Sequence, residues 1–199
     1  MDPAPLIVIA AVAIFSVAIF QVYSQGQKRQ STWKTLAEQL GLTHEGSVIR
    51  GEYAGLRVRI AMETHRNPDG YGQFCVVRAE VPAKLPEGFV AAPRRWTTGL
   101  DRMLADNTFT PTDPALKECY IFQSDRPQEG QALVEEPQAQ QALLSLYNPK
   151  RVGFVEKNRA HVAYFGFSDD AQEIRGALED VTKAARTLAA VRERLAPGA

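Results

Sequence analysis

The sequence predicts an α+β protein: an N-terminal transmembrane helix, then one domain in which helices pack on an antiparallel sheet. Three observations predict it. Residues 4–20 contain no charged side chain. Between residues 47 and 167, short stretches of alternating apolar and polar residues are separated by turn-forming Gly, Pro, Asn and Asp, the pattern of half-buried strands. After residue 170, apolar residues recur at three- and four-residue steps, the pattern of an amphipathic helix. The expected division is an anchor over 1–25 and an α+β domain over 26–199.

The apolar run from Ala4 to Tyr23 is long enough for a helix of about 30 Å, the thickness of a bilayer's hydrocarbon core. Asp2 precedes it, whereas Lys28, Arg29 and Lys34 follow. Positive residues stay on the cytoplasmic side, so the domain is expected in the cytoplasm at the inner membrane, with the bilayer gripping residues 4–23. A cleaved signal peptide is the alternative. The run lacks a basic n-region and exceeds the usual length of an h-region, which favours an uncleaved anchor.

Asp2 is the only charge in residues 1–25, so 23 basic residues face 22 acidic ones beyond it. That balance gives no concentrated basic face and argues against a nucleic-acid partner. Only Cys75 and Cys119 are present, without metal-ligand spacing, as suits a reducing compartment.

Ser31 or Thr32 can cap a helix whose apolar positions Trp33, Leu36, Ala37 and Leu40 share one stripe, and Gly41 ends it. Ser47–Arg50 and Leu56–Met62 then read as a hairpin, with Leu56, Val58, Ile60 and Met62 inward and Arg57 and Arg59 toward water. Asn67-Pro68-Asp69-Gly70 is a turn, followed by a central strand from Phe74 to Val81. Residues 82–115 hold five prolines and read as a long connection with one short helix near 99–105. Residues 119–122 form a strand and 125–130 a loop, after which Pro137 opens a helix to Tyr147. Residues 152–156 and 161–167 make a second hairpin, whose Lys150, Arg151, Lys157 and Arg159 suit a solvated sheet edge. The final helix starts at Ser168, Asp169 or Asp170 and reaches Leu195 through Ile174, Leu178, Val181, Ala185, Leu188 and Val191. Its stripe is expected to lie on the sheet; a homodimeric coiled coil through 170–195 is the alternative.

The order helix, hairpin occurs at 31–62 and at 137–167. Laying Leu40 on Leu146 aligns the two without a gap, which would make halves of about 31–81 and 118–195 around the connection 82–115.

The sequence has no phosphate loop, no zinc-protease or Cys-x-x-Cys motif and no nucleophile elbow. No cofactor or metal is expected. His65, Asp69 and Cys119 are the residues an enzyme would have to use, but the local pattern supplies neither an activated nucleophile nor a ligand set. Arg94-Arg95-Trp96 is the best binding candidate, because arginine beside tryptophan suits an anionic headgroup or a protein hot spot. The expected role is therefore a protein-interaction or scaffold module of the cell envelope, with an enzyme and a membrane-surface lipid-binding domain as alternatives. The order of anchor, Trp helix ending Leu40-Gly41-Leu42, Gly-rich hairpins, Leu-Pro-Glu-Gly at 85–88, Gln141-Ala142-Leu143-Leu144 and closing hairpin resembles uncharacterised membrane-anchored bacterial proteins. The resemblance implies no activity.

Overall fold

A computed structural model of the chain describes residues 30–67, 70–94, 107–148, 150–166 and 170–196. The expected anchor 4–23 and the short helix near 99–105 lie outside these residues. No helix among the described residues is long and apolar enough to cross a membrane.

The fold is α+β. Residues 30–40 are helical (α1). They are followed by β1 (Thr43–Glu45), β2 (Val48–Tyr53), β3 (Leu56–Asn67), β4 (Gly70–Glu80), β5 (Val90–Pro93) and β6 (Thr108–Phe109). Next come α2 (Pro114–Cys119), β7 (Tyr120–Gln123), α3 (Pro127–Glu135), α4 (Pro137–Leu146), β8 (Arg151–Glu156), β9 (Arg159–Phe165) and α5 (Ala171–Leu195). The strands form one nine-stranded antiparallel sheet in the order β1-β2-β3-β4-β9-β8-β5-β7-β6.

Local chemistry explains the hairpins. Ala54 and Gly55 turn β2 into β3 with φ of 50° and 73°, both positive, as a two-residue turn matched to strand twist requires. Lys157 and Asn158 do the same for β8 and β9. Asn158 is held in this conformation from both sides: its Oδ1 accepts from Leu85 N and its Nδ2 donates to Val81 O, each at 2.8 Å. Asn67 pairs with Gly70 at the end of the β3–β4 ladder; the expected turn residues 68 and 69 lie outside the described residues.

One face of the sheet carries the core. Ile49, Val58, Ile60, Cys75, Val77, Ala79 and Val162 pack there against Trp33, Leu36, Leu143, Leu146 and the stripe of α5. Trp33 is a core residue, as its position in the stripe suggests. Ile174, Leu178, Val181, Ala185, Leu188 and Val191 are fully buried, each large apolar side chain contributing about 1.5–3 kcal/mol. The α5 seam that a coiled coil would use is thereby occupied within the domain. Asp170 caps α5 by accepting from Gln172 N and Glu173 N.

Several elements differ from expectation. The segment read as a loop at 125–130 contains the start of α3, and the Pro-rich connection contains β5, β6 and the first residues of α2. In α2, α3 and α4 a proline occupies the first helical turn, where its missing N–H does no harm. The β8–β9 hairpin is not at an edge; it lies between β4 and β5. Arg151 there is partly buried, ion-paired with Asp180 and hydrogen-bonded to Ser145 O. The two hairpins turn 103 residues apart, at Ala54 and Lys157, whereas the helix ends Leu40 and Leu146 are 106 apart. A gap-free alignment therefore misplaces the second turn by three residues.

Candidate functional site

Alternation along the strands sends every second side chain to the face opposite the helices. A small apolar cluster on this outer face, Phe74, Val76, Phe154 and Ala163, consists of sheet residues alone. Cross-strand register sorts the outer face into rows. One row is apolar: Val48, Ala61, Val76, Ala163 and Val152 are successive partners across five strands. The next row is Arg50, Arg59, Arg78, His161 and Phe154. The third contains Glu52 opposite Arg57, and Glu80 opposite Arg159 opposite Glu156.

The third row alternates in sign, which stabilises neighbouring strands; the second places three arginines side by side, which does the reverse. The arginine row is held by specific contacts. Arg50 is ion-paired with Glu45. Arg78, only 14% exposed, donates from Nη1 and Nη2 to the two oxygens of Glu63 at 2.6 and 2.5 Å. Its Nε donates to His161 Nδ1 at 2.9 Å. Arg59 approaches the same Glu63 at 3.5 Å.

His161 is buried and stacks on Phe154, ring centres 4.5 Å apart and planes 26° apart. Burial first, then the positive charge of Arg78, lowers its pKa to about 3, although the Glu156 carbonyl favours the charged form. The ring is therefore neutral near pH 7. Because Nδ1 accepts from Arg78, the proton sits on Nε2, which has no hydrogen-bond partner of normal geometry among the described residues.

Where the arginine row meets the alternating row, Arg57, Val58, Arg59, Arg78, Glu80 and Arg159 line a pocket of about 150 Å³. Four arginines and one glutamate contribute to its wall. Arg159 and Glu80 are 4.0 Å apart, beyond hydrogen-bond distance. Arg57 is exposed.

The residues singled out from the sequence do not form a comparable site. Arg94 donates from Nε to Lys117 O at 2.7 Å, satisfying a carbonyl in the last turn of α2. Arg95 and Trp96 lie outside the described residues, as does Asp69. The backbone of His65 pairs with Gly72 near the end of β3. Cys119 ends α2, directly before β7. β3 and β7 are separated by β4, β9, β8 and β5, five strand spacings or about 24 Å, so His65 and Cys119 do not converge. Cys75 and Cys119 are not joined in a disulfide. No group of three or more metal-ligating side chains occurs among the described residues.

Sequence reasoning placed Arg57 and Arg59 in water and did not see the arginine row. Its signal was present in the turn-forming residues 54–55 and 67–70 of the sequence, which set which residues of β2, β3 and β4 stand opposite one another. Compared with known proteins, the chain matches no family model, no curated protein and no solved structure.

Proposed function

We propose that this chain is a membrane-tethered interaction module, held in the bilayer by residues 4–23 on the cytoplasmic side, whose outer sheet face contacts an acidic protein partner. One observation carries the reading: the registered row Arg50, Arg59, Arg78, on the side of the sheet away from the helical core. Like charges directly opposite are unfavourable; Glu45 and Glu63 offset Arg50 and Arg78 within the domain, while Arg57 and Arg59 stay exposed to an acidic partner. Among the described residues the outer face carries five arginines (50, 57, 59, 78, 159) and five glutamates (45, 52, 63, 80, 156). Placement rather than net charge therefore supplies the recognition, as in interfaces whose charges set specificity and on-rate. Catalysis is not part of the reading, because His65 and Cys119 stand apart.

The test is partner capture with the detergent-solubilised chain carrying Arg57→Glu and Arg59→Glu together, beside Lys183→Glu with Arg186→Glu on the exposed side of α5. The reading expects the first pair to lose the captured partner and the second to keep it. Unchanged capture by the first pair contradicts it.

A further inference from the structure

We propose that the pocket formed by Arg57, Arg59, Arg78, Glu80 and Arg159 binds a phosphomonoester dianion. The inference deepens the reading of the outer face as a binding surface and adds a small ligand to it. Four observations support it.

The first is charge: four arginines from three strands line the cavity with Glu80, and Glu63, which pairs with Arg78 and approaches Arg59, leaves an excess of positive charge. The second is free hydrogen-bonding capacity. Among the described residues Arg57 has no ion pair, and Arg159 has only the 4.0 Å approach to Glu80. Arginine's planar fork matches two oxygens of a phosphate at once. The third is preorganisation. Arg78 is fixed by Glu63 and His161 through three of its five N–H groups, which leaves two for a ligand and lowers the ordering cost of binding. Neutral His161 matters here, because a charged imidazole could not accept from Arg78. The fourth is size. A cavity of about 150 Å³ has room for a tetrahedral oxyanion, since one water needs only about 10–15 Å³ of such space.

A phosphomonoester near pH 7 carries close to two negative charges and offers three terminal acceptor oxygens. A carboxylate offers two oxygens and one charge. A soluble phosphate ester and a phosphatidic acid headgroup share this chemistry. In either form the ligand competes with an acidic protein for Arg57 and Arg59.

The test uses the full 199-residue chain in detergent micelles, with arginine Nε–H NMR signals followed at constant ionic strength. Glycerol 3-phosphate is titrated against sodium chloride as control. Saturable shifts of the Arg57, Arg59 and Arg159 signals are expected, with affinity about 10- to 100-fold weaker in Arg57→Ala, the loss of charge-assisted hydrogen bonds. A second arm compares phosphatidylcholine vesicles containing phosphatidic acid with vesicles containing equal charge as phosphatidylglycerol. Selective retention by phosphatidic acid supports the proposal with a lipid source; saturation by glycerol 3-phosphate without such retention supports it with a soluble one. No saturation up to about 10 mM ester, a response equalled by chloride, or an unaltered response in Arg57→Ala overturns it. If phosphate fails while the double Arg→Glu variant still loses its protein partner, the pocket proposal falls and the interaction module stands.

Discussion

Lowering the pH from 7 to 5 perturbs His161, and the size of the effect follows from its surroundings. The ring is buried against Phe154, accepts from Arg78, and has Arg159 and Lys157 as further positive charges, opposed by the Glu156 carbonyl. Its folded pKa near 3 lies well below the ordinary 6.5. The unfolded chain therefore takes up the proton first as the pH falls. Stability from the neutral ring is complete above about pH 6.5 and declines until about pH 3. Each pH unit inside that window removes about 1.4 kcal/mol, so the step from 7 to 5 costs ~2 kcal/mol. This interval lies above the ordinary carboxylate range, which isolates the histidine from most acid groups. Urea unfolding at the two pH values, for the original chain and for His161→Gln, measures the effect. Glutamine retains an acceptor for Arg78 but does not titrate, so the variant is expected to lose the ~2 kcal/mol difference whatever its absolute stability. Equal pH dependence in the two proteins refutes the reasoning.

Three further outcomes are expected. Leu188→Asp places a carboxylate at a fully buried core position and should unfold the domain, costing more than about 4 kcal/mol; circular dichroism checks it, and a folded variant with lowered mass would favour the coiled-coil dimer instead. Gly153→Ala brings a Cβ within 2.4 Å of the Leu146 carbonyl oxygen and should destabilise by about 1–3 kcal/mol in chemical denaturation. Gly176→Ala, within α5 and meeting nothing within 4 Å, should stabilise by about 0.5–1 kcal/mol in the same assay.

Most of the local structure was legible, and what escaped has identifiable causes. The α5 stripe, the cap at Asp170, the helix opening at Pro137 and the tight hairpins follow from spacing and turn chemistry that operate within a few residues. The helix α2 also had its signal, since Asp113 accepts from Leu116 N at 2.8 Å and Pro114 follows it. Reading the prolines of 82–115 as one long connection concealed that start. Reading 125–130 as a loop concealed α3, which opens at Pro127. Strand pairing between β4 and β9, and the insertion of β5 between β8 and β7, join distant parts of the chain, and no local pattern encodes them. For the site, the placement of Arg50, Arg59 and Arg78 opposite one another was implicit in the turn-forming residues 54–55 and 67–70 of the sequence. His161 joins their row only through the nonlocal β4–β9 register, so its role was not visible from the sequence.

The most direct measurement is photo-crosslinking in intact membranes, with a photoreactive residue placed singly at Arg57 or Phe165 on the outer face, or at Lys183 or Arg186 on the exposed side of α5. The account predicts a discrete protein adduct from the two sheet positions and none from the helix positions. Adducts confined to Lys183 and Arg186 would contradict it.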